Sequence, residues 1–452
     1  MNKKNLMSLT LLAALCAAIG SAQAQDYVLQ AASWGAAQQA AVAAAGGSVR
    51  YADAEGLALV SAPGKDFLKR VLAGGAVRSG APDRAVNFTP PVREQELRLD
   101  AVPATITDTF YATVQWAPQA VGAPAAWAAG YTGRGVRVAV IDGGIYGAHV
   151  DLAANIDTVA ARSFATGTPN GCLELWHCDT GTFWHGTHVA GIIAAPANGI
   201  GVVGIAPEAT IVPVKALHSG SGSFGAVIAA ILYASGDGRA DIINMSLGAE
   251  FNRGDREAAE LVSALNRAVN TASRRGTLVI SAAGNSSLDL DHSGNLIATP
   301  AQSGNGLAIS ATGPMLFAAG ATNFSRIASY TNYGTSAITL AAPGGDFAYP
   351  GNENCTVPLG AGTLTRPCWV FDMVLSTSRG GTVAGGYSWA AGTSMAAPAA
   401  AAVAALIKQK NPGLSVGALK NELRRATDDQ GKNGRDPYYG SGFLDAAKAV
   451  AP

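Results

Sequence analysis

Three residues that lie far apart in the sequence have the side-chain types needed to hydrolyse an amide bond without a metal. Asp142 directly follows a β-branched run, His185 opens a helical stretch, and Ser394 precedes an apolar helical run. Such hydrolysis needs a nucleophile, a base that takes its proton, and a group that orients the base. A serine at a helix N-terminus also lies near free amides and the positive end of the helix dipole, which favours an oxyanion. Each residue alone is more often a cap or turn residue, so the prediction depends on all three together.

The segments that must position these residues alternate between strand and helix patterns. Continuous apolar, β-branched runs occur at 136–141, 210–214, 241–245, 277–281, 307–310 and 338–340. Such runs are typical of strands buried on both faces, and helical patterns lie between them, as at 224–234 and 256–274. The order predicts an α/β fold with a doubly wound, mainly parallel sheet and helices on both faces. Sites in such sheets lie at the carboxyl ends of the strands, where Asp142 and Asn285 both fall.

The sequences around these residues resemble those of the subtilisin-like serine proteases. His185 lies in His-Gly-Thr-His-Val-Ala-Gly and Ser394 in Gly-Thr-Ser-Met-Ala-Ala-Pro, and the order Asp, His, Ser is also that of subtilisin. The resemblance covers about residues 110–450 and includes Asn285, which matches the family's oxyanion-hole donor. It implies a serine endopeptidase of subtilisin-like fold with Asp142, His185 and Ser394 as its triad. The sequence departs from the family at Gly143, where a hydroxyl residue is usual.

The same resemblance implies where an extended peptide substrate binds. Two segments of the family's pattern would flank the substrate as neighbouring strands: Ser219, Gly220, Ser221 and Gly222 on one side, and Ser246, Leu247 and Gly248 on the other. Strand addition is a common mode of peptide recognition. Phe224 would line a pocket several residues before the scissile bond, so we expect a broad preference for apolar or aromatic residues.

Calcium is the cofactor that the resemblance implies. Asp151, Asn198, Ile200 and Val202 match ligands of the family's structural Ca²⁺ site. A carboxylate, a side-chain amide and backbone carbonyls are suitable oxygen ligands for this ion. A tight glycine-rich turn without a metal is the alternative interpretation of residues 198–202.

Residues 1–24 have the features of a secretory signal peptide. Lys3 and Lys4 precede a short apolar run, and Ala22-Gln23-Ala24 gives a small-x-small cleavage pattern. The run is shorter than the ~20 residues needed to cross a bilayer, and no later segment predicts a membrane anchor. We therefore expect a secreted protein, either extracellular or periplasmic.

Residues 25–105 predict a small α+β unit that precedes a catalytic domain at 106–452. Its expected elements are a strand at 27–29, a helix at 36–45, two strands around Gly56, a helix at 65–73 and a last strand through Val86 and Phe88. This is the ferredoxin-like order. Pro90-Pro91 and the charged residues 93–96 predict an exposed linker after it. By resemblance, the unit is a propeptide that assists folding and acts as an intramolecular inhibitor.

Cysteine content and charge add two constraints. Four cysteines follow the signal segment, namely Cys172, Cys178, Cys355 and Cys368. An exported protein would normally oxidise them, and of the three connectivities proximity favours 172–178 with 355–368. Neither pair has zinc-site spacing. Basic and acidic residues both number 31, so the charge predicts no nucleic-acid partner.

The sequence therefore predicts a monomeric, self-processing endopeptidase that cleaves polypeptides through an acyl-enzyme on Ser394. One alternative is a catalytically silent peptide-binding module on the same fold, for which Gly143 is the only support. A second alternative is a hydrolase of esters that uses the same triad.

Overall fold

The computed structural model describes residues 24–64, 66–87, 93–97, 113–167, 170–359, 362–380 and 384–452. The predicted signal peptide lies outside these residues apart from residue 24, and so does the domain boundary predicted at residue 105. Within the described ranges, no helix is both long enough and apolar enough to cross a membrane.

A small unit of four strands and two helices comes first. Its elements are β1 (Gln25–Gln30), α1 (Ala36–Ala44), β2 (Ser48–Asp53), β3 (Leu57–Ala62), α2 (Phe67–Ala73) and β4 (Ser79–Pro82). The strands form an antiparallel sheet in the order β2-β3-β1-β4, which confirms the ferredoxin-like element order. The last strand, however, is not the predicted one through Val86. Residues 79–82 pair with β1 instead, and the chain leaves the sheet after Pro82.

Two further strands, β5 (Ala85–Asn87) and β6 (Arg93–Leu97), pair with the larger part of the chain. β5 is antiparallel to residues 221–223, and β6 is antiparallel to residues 387–391. Residues 93–97 are therefore a paired strand and not the predicted linker, although Arg93 and Glu94 are exposed. Charged residues have low strand propensity, but an unpaired strand edge next to them supplies the hydrogen bonds that override it.

The remaining elements form the larger domain. In chain order they are α3 (Ala117–Ala120), α4 (Ala123–Ala128), β7 (Arg137–Asp142), β8 (Arg162–Ser163), α5 (His185–Ala194), β9 (Thr210–Lys215), β10 (Leu217–His218), β11 (Ser221–Ser223), α6 (Phe224–Ser235), β12 (Ile242–Met245), β13 (Ala249–Asn252), α7 (Arg256–Arg274), β14 (Leu278–Ala282), β15 (Leu296–Thr299), β16 (Leu307–Thr312), β17 (Ile338–Pro343), β18 (Asn354–Leu359), β19 (Gly362–Pro367), β20 (Val374–Ser378), β21 (Gly386–Ala391), α8 (Thr393–Lys410), α9 (Val416–Arg425), β22 (Thr427–Asp428), β23 (Phe443–Leu444) and α10 (Ala446–Val450). Short 3₁₀ helices lie at Ala153–Asn155, Phe317–Ala319 and Cys368–Asp372.

A twisted parallel sheet forms the centre of this domain, in the strand order β22-β23-β17-β16-β14-β12-β7-β9-β8. Its neighbouring strands are parallel except for β22 and β23. Val138 and Val140 of β7 pack into an apolar core with α5 and α8, whereas Ala139 and Ile141 pack into a second core with α6 and α7. Because alternate residues of one strand enter different cores, helices cover both faces, and the predicted fold class is confirmed.

Helix α8 is deeply buried in the core on the α5 side. Residues 393–407 are all buried, and most are alanine. Small side chains let the helix lie close to the sheet and to α5, at the packing density usual for protein interiors. The sequence suggested that Ser394 precedes this helix, but the helix begins at Thr393, so Ser394 is its second residue.

Both disulfide bonds join the cysteines that are close in sequence. Cys172 pairs with Cys178 and Cys355 with Cys368, with Cα–Cα distances of 5.2 and 4.8 Å. The preferred connectivity is thus confirmed. The first bond closes a short loop before α5, and the second closes the β18–β19 hairpin.

We predict that enlarging a side chain of α8 destabilises the domain. Ala401 is fully buried, so Ala401→Leu should lower the free energy of unfolding by about 1–3 kcal/mol through overpacking. Ala259→Leu on the exposed side of α7 is the matched control and should change it by less than about 0.5 kcal/mol. Urea unfolding of the inhibited protein measures both values, and equal effects would contradict the close packing of α8.

Candidate active site

A hydrogen-bonded carboxylate–imidazole pair lies at the carboxyl edge of the central sheet. Asp142 is the last residue of β7 and is fully buried, and His185 is the first residue of α5. Nδ1 of His185 is 2.8 and 2.9 Å from the two carboxylate oxygens of Asp142. Asp142 Oδ1 also accepts the backbone N–H of Gly143. With Nδ1 as the donor, the Nε2 atom of the neutral ring is left as a proton acceptor.

Opposing effects act on the pKa of His185. Burial is the largest single effect and lowers it, but the negative charge and hydrogen bond of Asp142, with smaller contributions from the charges of Asp179 and Glu94, together raise it by more, so the pKa lies above its ordinary value of 6.5. Nε2 is buried and makes no hydrogen bond to any described residue. The imidazole is therefore oriented by one nitrogen and available for proton transfer at the other.

Ser394 is held at the start of α8 by reciprocal contacts with Ser246. Its hydroxyl donates to the Ser246 carbonyl at 3.2 Å, and the Ser246 hydroxyl donates to the Ser394 carbonyl at 2.7 Å. That carbonyl would normally accept the N–H of residue 398, which is a proline and has none. Ser246 thus supplies the missing donor. The Ser394 hydroxyl points to Ser246 in this structure, and no hydrogen bond joins it to His185.

Asn285 lies beside the residue that precedes Ser394. It follows β14, and its Oδ1 accepts both the backbone N–H and the hydroxyl of Thr393, at 2.9 and 2.7 Å. Thr393 in turn accepts the Gly284 N–H. Because the oxygen of the amide is anchored one residue before Ser394, its NH₂ group has a fixed orientation close to Ser394.

The two predicted substrate segments border a cleft that contains the carboxylate–imidazole pair. The cleft has a volume of about 480 Å³, and its wall includes Asp142, His185, Ser246 and residues 219–221. Ser219 and Gly220 turn between β10 and β11, both at positive φ. Gly222 lies on β11 opposite Val86 of β5, so this edge already pairs with an extended segment. Leu247 is buried in the core shared with α6, and Gly248 follows it before β13.

The apolar pocket predicted at Phe224 is occupied by the chain itself. Phe224 is buried, and its ring centroid lies 4.7 Å from that of Phe251. Val86 belongs to the same apolar core. The side chain that pairs opposite Gly222 is therefore apolar and buried in the core that also contains Phe224.

The residues predicted to hold calcium surround one turn. Asp151 is fully buried and accepts the Val202 N–H at 2.8 Å and the Tyr387 hydroxyl at 3.3 Å. Asn198 accepts the N–H of Ile200 within the same turn. A buried carboxylate beside amide and carbonyl oxygens is a donor set that fits Ca²⁺. Among the described residues, no group of three or more His, Cys, Asp or Glu is arranged for a metal, so backbone oxygens would have to complete the shell.

Two further histidines are buried and hydrogen-bonded to backbone carbonyls. His188 hydrogen-bonds through Nε2 to the Ser388 carbonyl, and burial lowers its pKa to about 3, so it is a packed neutral residue. His149 is also fully buried, with Nε2 2.8 Å from the Gly386 carbonyl. Local sequence did not reveal this burial because the contact spans 237 residues.

Two acidic residues of the cleft were missed by the sequence analysis. Asp179 lies in the cleft wall between the Cys172–Cys178 loop and α5, and Glu94 of β6 also lines the cleft. Only the absence of a side chain at Gly143 gave a signal for Asp179, since it leaves space beside Asp142. Nothing in the local sequence indicated Glu94.

Comparison with known proteins identifies the family. A model of the subtilase family matches residues 133–442, which contain Asp142, His185 and Ser394. The chain belongs to the subtilase family. The M-protease of Shouchella clausii is 36% identical over 343 residues, 76% of this chain and 71% of that protein. Subtilisin Savinase of Lederbergia lenta is 36% identical over 339 residues, 75% of this chain and 99% of Savinase. This subtilase is thus a serine endopeptidase, and its substrates are polypeptides.

Solved structures agree on the fold of the subtilase. The crystal structure of a lanthipeptide protease matches with a TM-score of 0.60 and 28% identity, covering 75% of this chain and 94% of that one. An epidermin leader peptide processing serine protease from Staphylococcus aureus matches with a TM-score of 0.72 over 95% of this chain and all of that one. Its identity is 22%, so it supports the fold alone.

We predict that the activity of the subtilase follows the deprotonation of His185. Because Asp142 holds the pKa of His185 above 6.5, kcat/KM should rise with pH along a limb whose midpoint lies above pH 6.5. Asp142→Asn should lower kcat by about 10⁴-fold. Hydrolysis of a chromogenic peptide between pH 5 and 9 measures both effects. A limb at or below pH 6.5, or an Asn variant of normal kcat, would contradict this role of Asp142.

Proposed function

We propose that this subtilase is an exported proenzyme that first cleaves itself and then cleaves proteins through an acyl-enzyme on Ser394. The observation that carries the proposal is the Asp142–His185 pair, hydrogen-bonded at 2.8 Å in a cleft also lined by Ser246, the residue that contacts Ser394. In this proposal Asp142 orients the imidazole, and His185 is the general base and then the general acid.

The reaction would begin with rotation of the Ser394 hydroxyl from Ser246 to His185. Oγ then attacks the substrate carbonyl carbon while Nε2 takes its proton. The Asn285 side chain and the Ser394 backbone N–H would donate to the oxyanion. As the C–N bond breaks, the proton passes from Nε2 to the leaving amine. A water molecule then attacks the acyl-enzyme by the same route in reverse, which releases the acid and restores Ser394.

The substrate would bind as an added strand, and β5 supports this mode. β5 is antiparallel to β11, with Asn87 opposite Ser221 and Val86 opposite Gly222. A substrate that replaced β5 would use the same backbone groups. The burial of Val86 with Phe224 supports the predicted preference for an apolar residue at this position of the substrate.

Self-processing is supported by the positions of β5 and β6 on opposite sides of the active site. β5 pairs with the substrate segment at 221–223, and β6 pairs with β21, which ends three residues before Ser394. The bonds that connect the strands lie between residues 87 and 93, and the charge of Glu94 contributes to the raised pKa of His185. We therefore propose that the first cut falls between these residues, before the boundary predicted at residue 105.

An inhibitory and folding role of residues 25–87 is supported by their contacts with α6 and α7. Val28, Leu57 and Ala81 share an apolar core with α6. Arg84 forms ion pairs with Asp255 and Glu257 at the start of α7. A surface that covers two helices of the enzyme could guide their packing during folding and remain bound after cleavage.

We predict that Ser394 is required both for covalent labelling and for self-cleavage. The wild-type chain should react once with a fluorophosphonate and lose its residues up to a bond between 87 and 93, whereas Ser394→Ala should do neither. Intact mass measures both results. Ser263→Ala, an exposed serine of α7, is the control and should behave like the wild type.

The outcomes separate the alternatives for this fold. A wild-type protein that is neither labelled nor shortened would favour the silent peptide-binding module. Labelling together with cleavage of a short-chain ester but not of casein would favour an esterase.

Export is a separate part of the proposal and depends on residues 1–24. Signal cleavage after Ala24 would bring the chain to an extracellular or periplasmic location, where the disulfides are stable. Both disulfide bonds of the described chain are consistent with that environment.

Calcium is proposed as a structural ligand of the turn at 198–202. Asp151, the Asn198 amide oxygen and the carbonyls of Ile200 and Val202 would hold it. When bound, the ion would neutralise the buried Asp151 carboxylate and cross-link two loops.

We predict that chelation lowers the melting temperature of the fluorophosphonate-blocked enzyme, in which autolysis cannot occur. Ligand at about 100 times its Kd adds ~2.7 kcal/mol, which corresponds to about 4 °C for a domain of roughly 350 residues, whose unfolding entropy is ~2.1 cal/mol/K per residue. Differential scanning calorimetry with EDTA, then with added Ca²⁺, measures the change. Asp151→Asn should not respond to EDTA, and an unresponsive wild type would exclude the site.

A further inference from the structure

The backbone beside the catalytic aspartate is packed against a second carboxylate. A Cβ atom added at Gly143 would lie closer than 3.0 Å to Oδ2 of Asp179, and one added at Gly144 would meet the backbone of Cys178 at similar range. Gly143 does not have a positive φ. The backbone conformation therefore does not require a glycine at position 143. A side chain is excluded there because Asp179 occupies the space.

Asp179 connects the two segments that border the active site. Its Oδ2 accepts the backbone N–H of Gly144, and its Oδ1 accepts that of Ser219, both at 3.0 Å. Gly144 lies two residues after Asp142, and Ser219 begins the substrate segment. Thr180 adds a hydrogen bond from its side chain to that of Ser219 at 2.6 Å. One carboxylate thus fixes the distance between the catalytic turn and the strand that binds substrate.

The loop that carries Asp179 is itself held in two ways. The Cys172–Cys178 bond closes it immediately before Asp179. Lys215, the last residue of β9, is fully buried, and its ammonium donates to the carbonyls of Cys172, Leu175 and Cys178. A buried ammonium is stable only when its donors are satisfied, so the loop and Lys215 stabilise each other.

We propose that Asp179 is a positioning residue for peptide hydrolysis, which takes the place of a side chain at position 143 and ties the Asp142 turn to the substrate strand. The inference rests on the proposed function. Asp179 touches no reacting atom in this scheme. It acts through the backbone of Gly144 and Ser219, and through its charge.

Several charged or titratable groups face His185, and their contributions can be separated. They are Asp142 on β7, Asp179, Glu94 on β6, and His188 one turn along α5. Burial lowers the pKa of His185, and Asp142 then raises it more than Asp179 or Glu94 does. Removing the Asp179 charge should therefore move the acid limb of kcat/KM to lower pH. Loss of a merely structural contact would lower the plateau and leave the limb in place.

The test is a double-mutant cycle on the full chain, which is allowed to process itself. Asp179→Ala should lower kcat/KM about 10–100-fold, with kcat falling through the Gly144 contact and KM rising through the Ser219 contact. Gly143→Ser should lower kcat/KM about 10-fold, because its Cβ meets Asp179. In Gly143→Ser/Asp179→Ala the new serine side chain has room. The kcat/KM of the double variant should therefore be at least about 5-fold higher than that of the less active single variant.

Fluorophosphonate titration gives the active fraction of each variant, and the first-order rate of self-cleavage replaces kcat where processing is slow. Asp179→Asn, which keeps the shape and one acceptor oxygen, tests the charge through the pH limb. Asp428→Asn is the control and should match the wild type, because it removes an ion pair with Lys448 that involves none of the residues of the active site.

The possible results separate a failure of the inference about Asp179 from a failure of the proposed function. If the losses of kcat/KM in the two single variants multiply in the double variant, or if the Asp179 variants are within twofold of the wild type, the inference is overturned. An active wild type would still uphold the proposed function. If Asp179→Ala and Gly143→Ser do not fold, the pH profile of Asp179→Asn decides, and an unshifted acid limb overturns the inference. A wild type without labelling would instead refute the proposed function itself.

Discussion

The buried carboxylate of Asp142 is the constraint on which the site depends. An ionised carboxylate removed from water is costly unless hydrogen bonds and charge compensate it. Here both oxygens lie within hydrogen-bonding distance of His185 Nδ1, and one also accepts the Gly143 N–H. The imidazole therefore has one favourable orientation, which turns Nε2 away from Asp142. The contact that compensates the buried charge of Asp142 is thus the same contact that orients His185.

The parallel sheet explains why the other groups converge on that pair. Asp142 ends β7, Ser246 follows β12 and Asn285 follows β14, and these three strands are neighbours. Parallel strands bring their carboxyl ends to a single edge. Helix α8 then crosses the core with small side chains, which brings its N-terminus and Ser394 to this edge. Pro398 leaves the Ser394 carbonyl without its helical donor, and Ser246 replaces that donor.

Much of this arrangement could be predicted from the sequence, because the fold signal is local. Apolar β-branched runs mark the buried strands, and the glycine-rich segments around His185 and Ser394 carry the family resemblance. The features that could not be predicted depend on partners distant in sequence. β6 consists largely of charged residues and becomes a strand only through the free edge of β21. Asp179 acquires its role from an absent side chain at Gly143, 36 residues earlier, and no local pattern encodes that proximity.

Two kinds of contact between residues 25–87 and the enzyme respond differently to dissolved salt. The ion pairs of Arg84 with Asp255 and Glu257 are about one third to one half exposed, so dissolved salt screens them over a Debye length of ~8 Å at physiological ionic strength. The apolar contacts of Val28, Leu57 and Ala81 are not screened. After the proposed self-cleavage, the residence time of the detached segment should therefore shorten at high salt concentration and lengthen at low salt concentration. If the segment inhibits as proposed, the ionic composition of the surroundings would set how long the enzyme stays inactive.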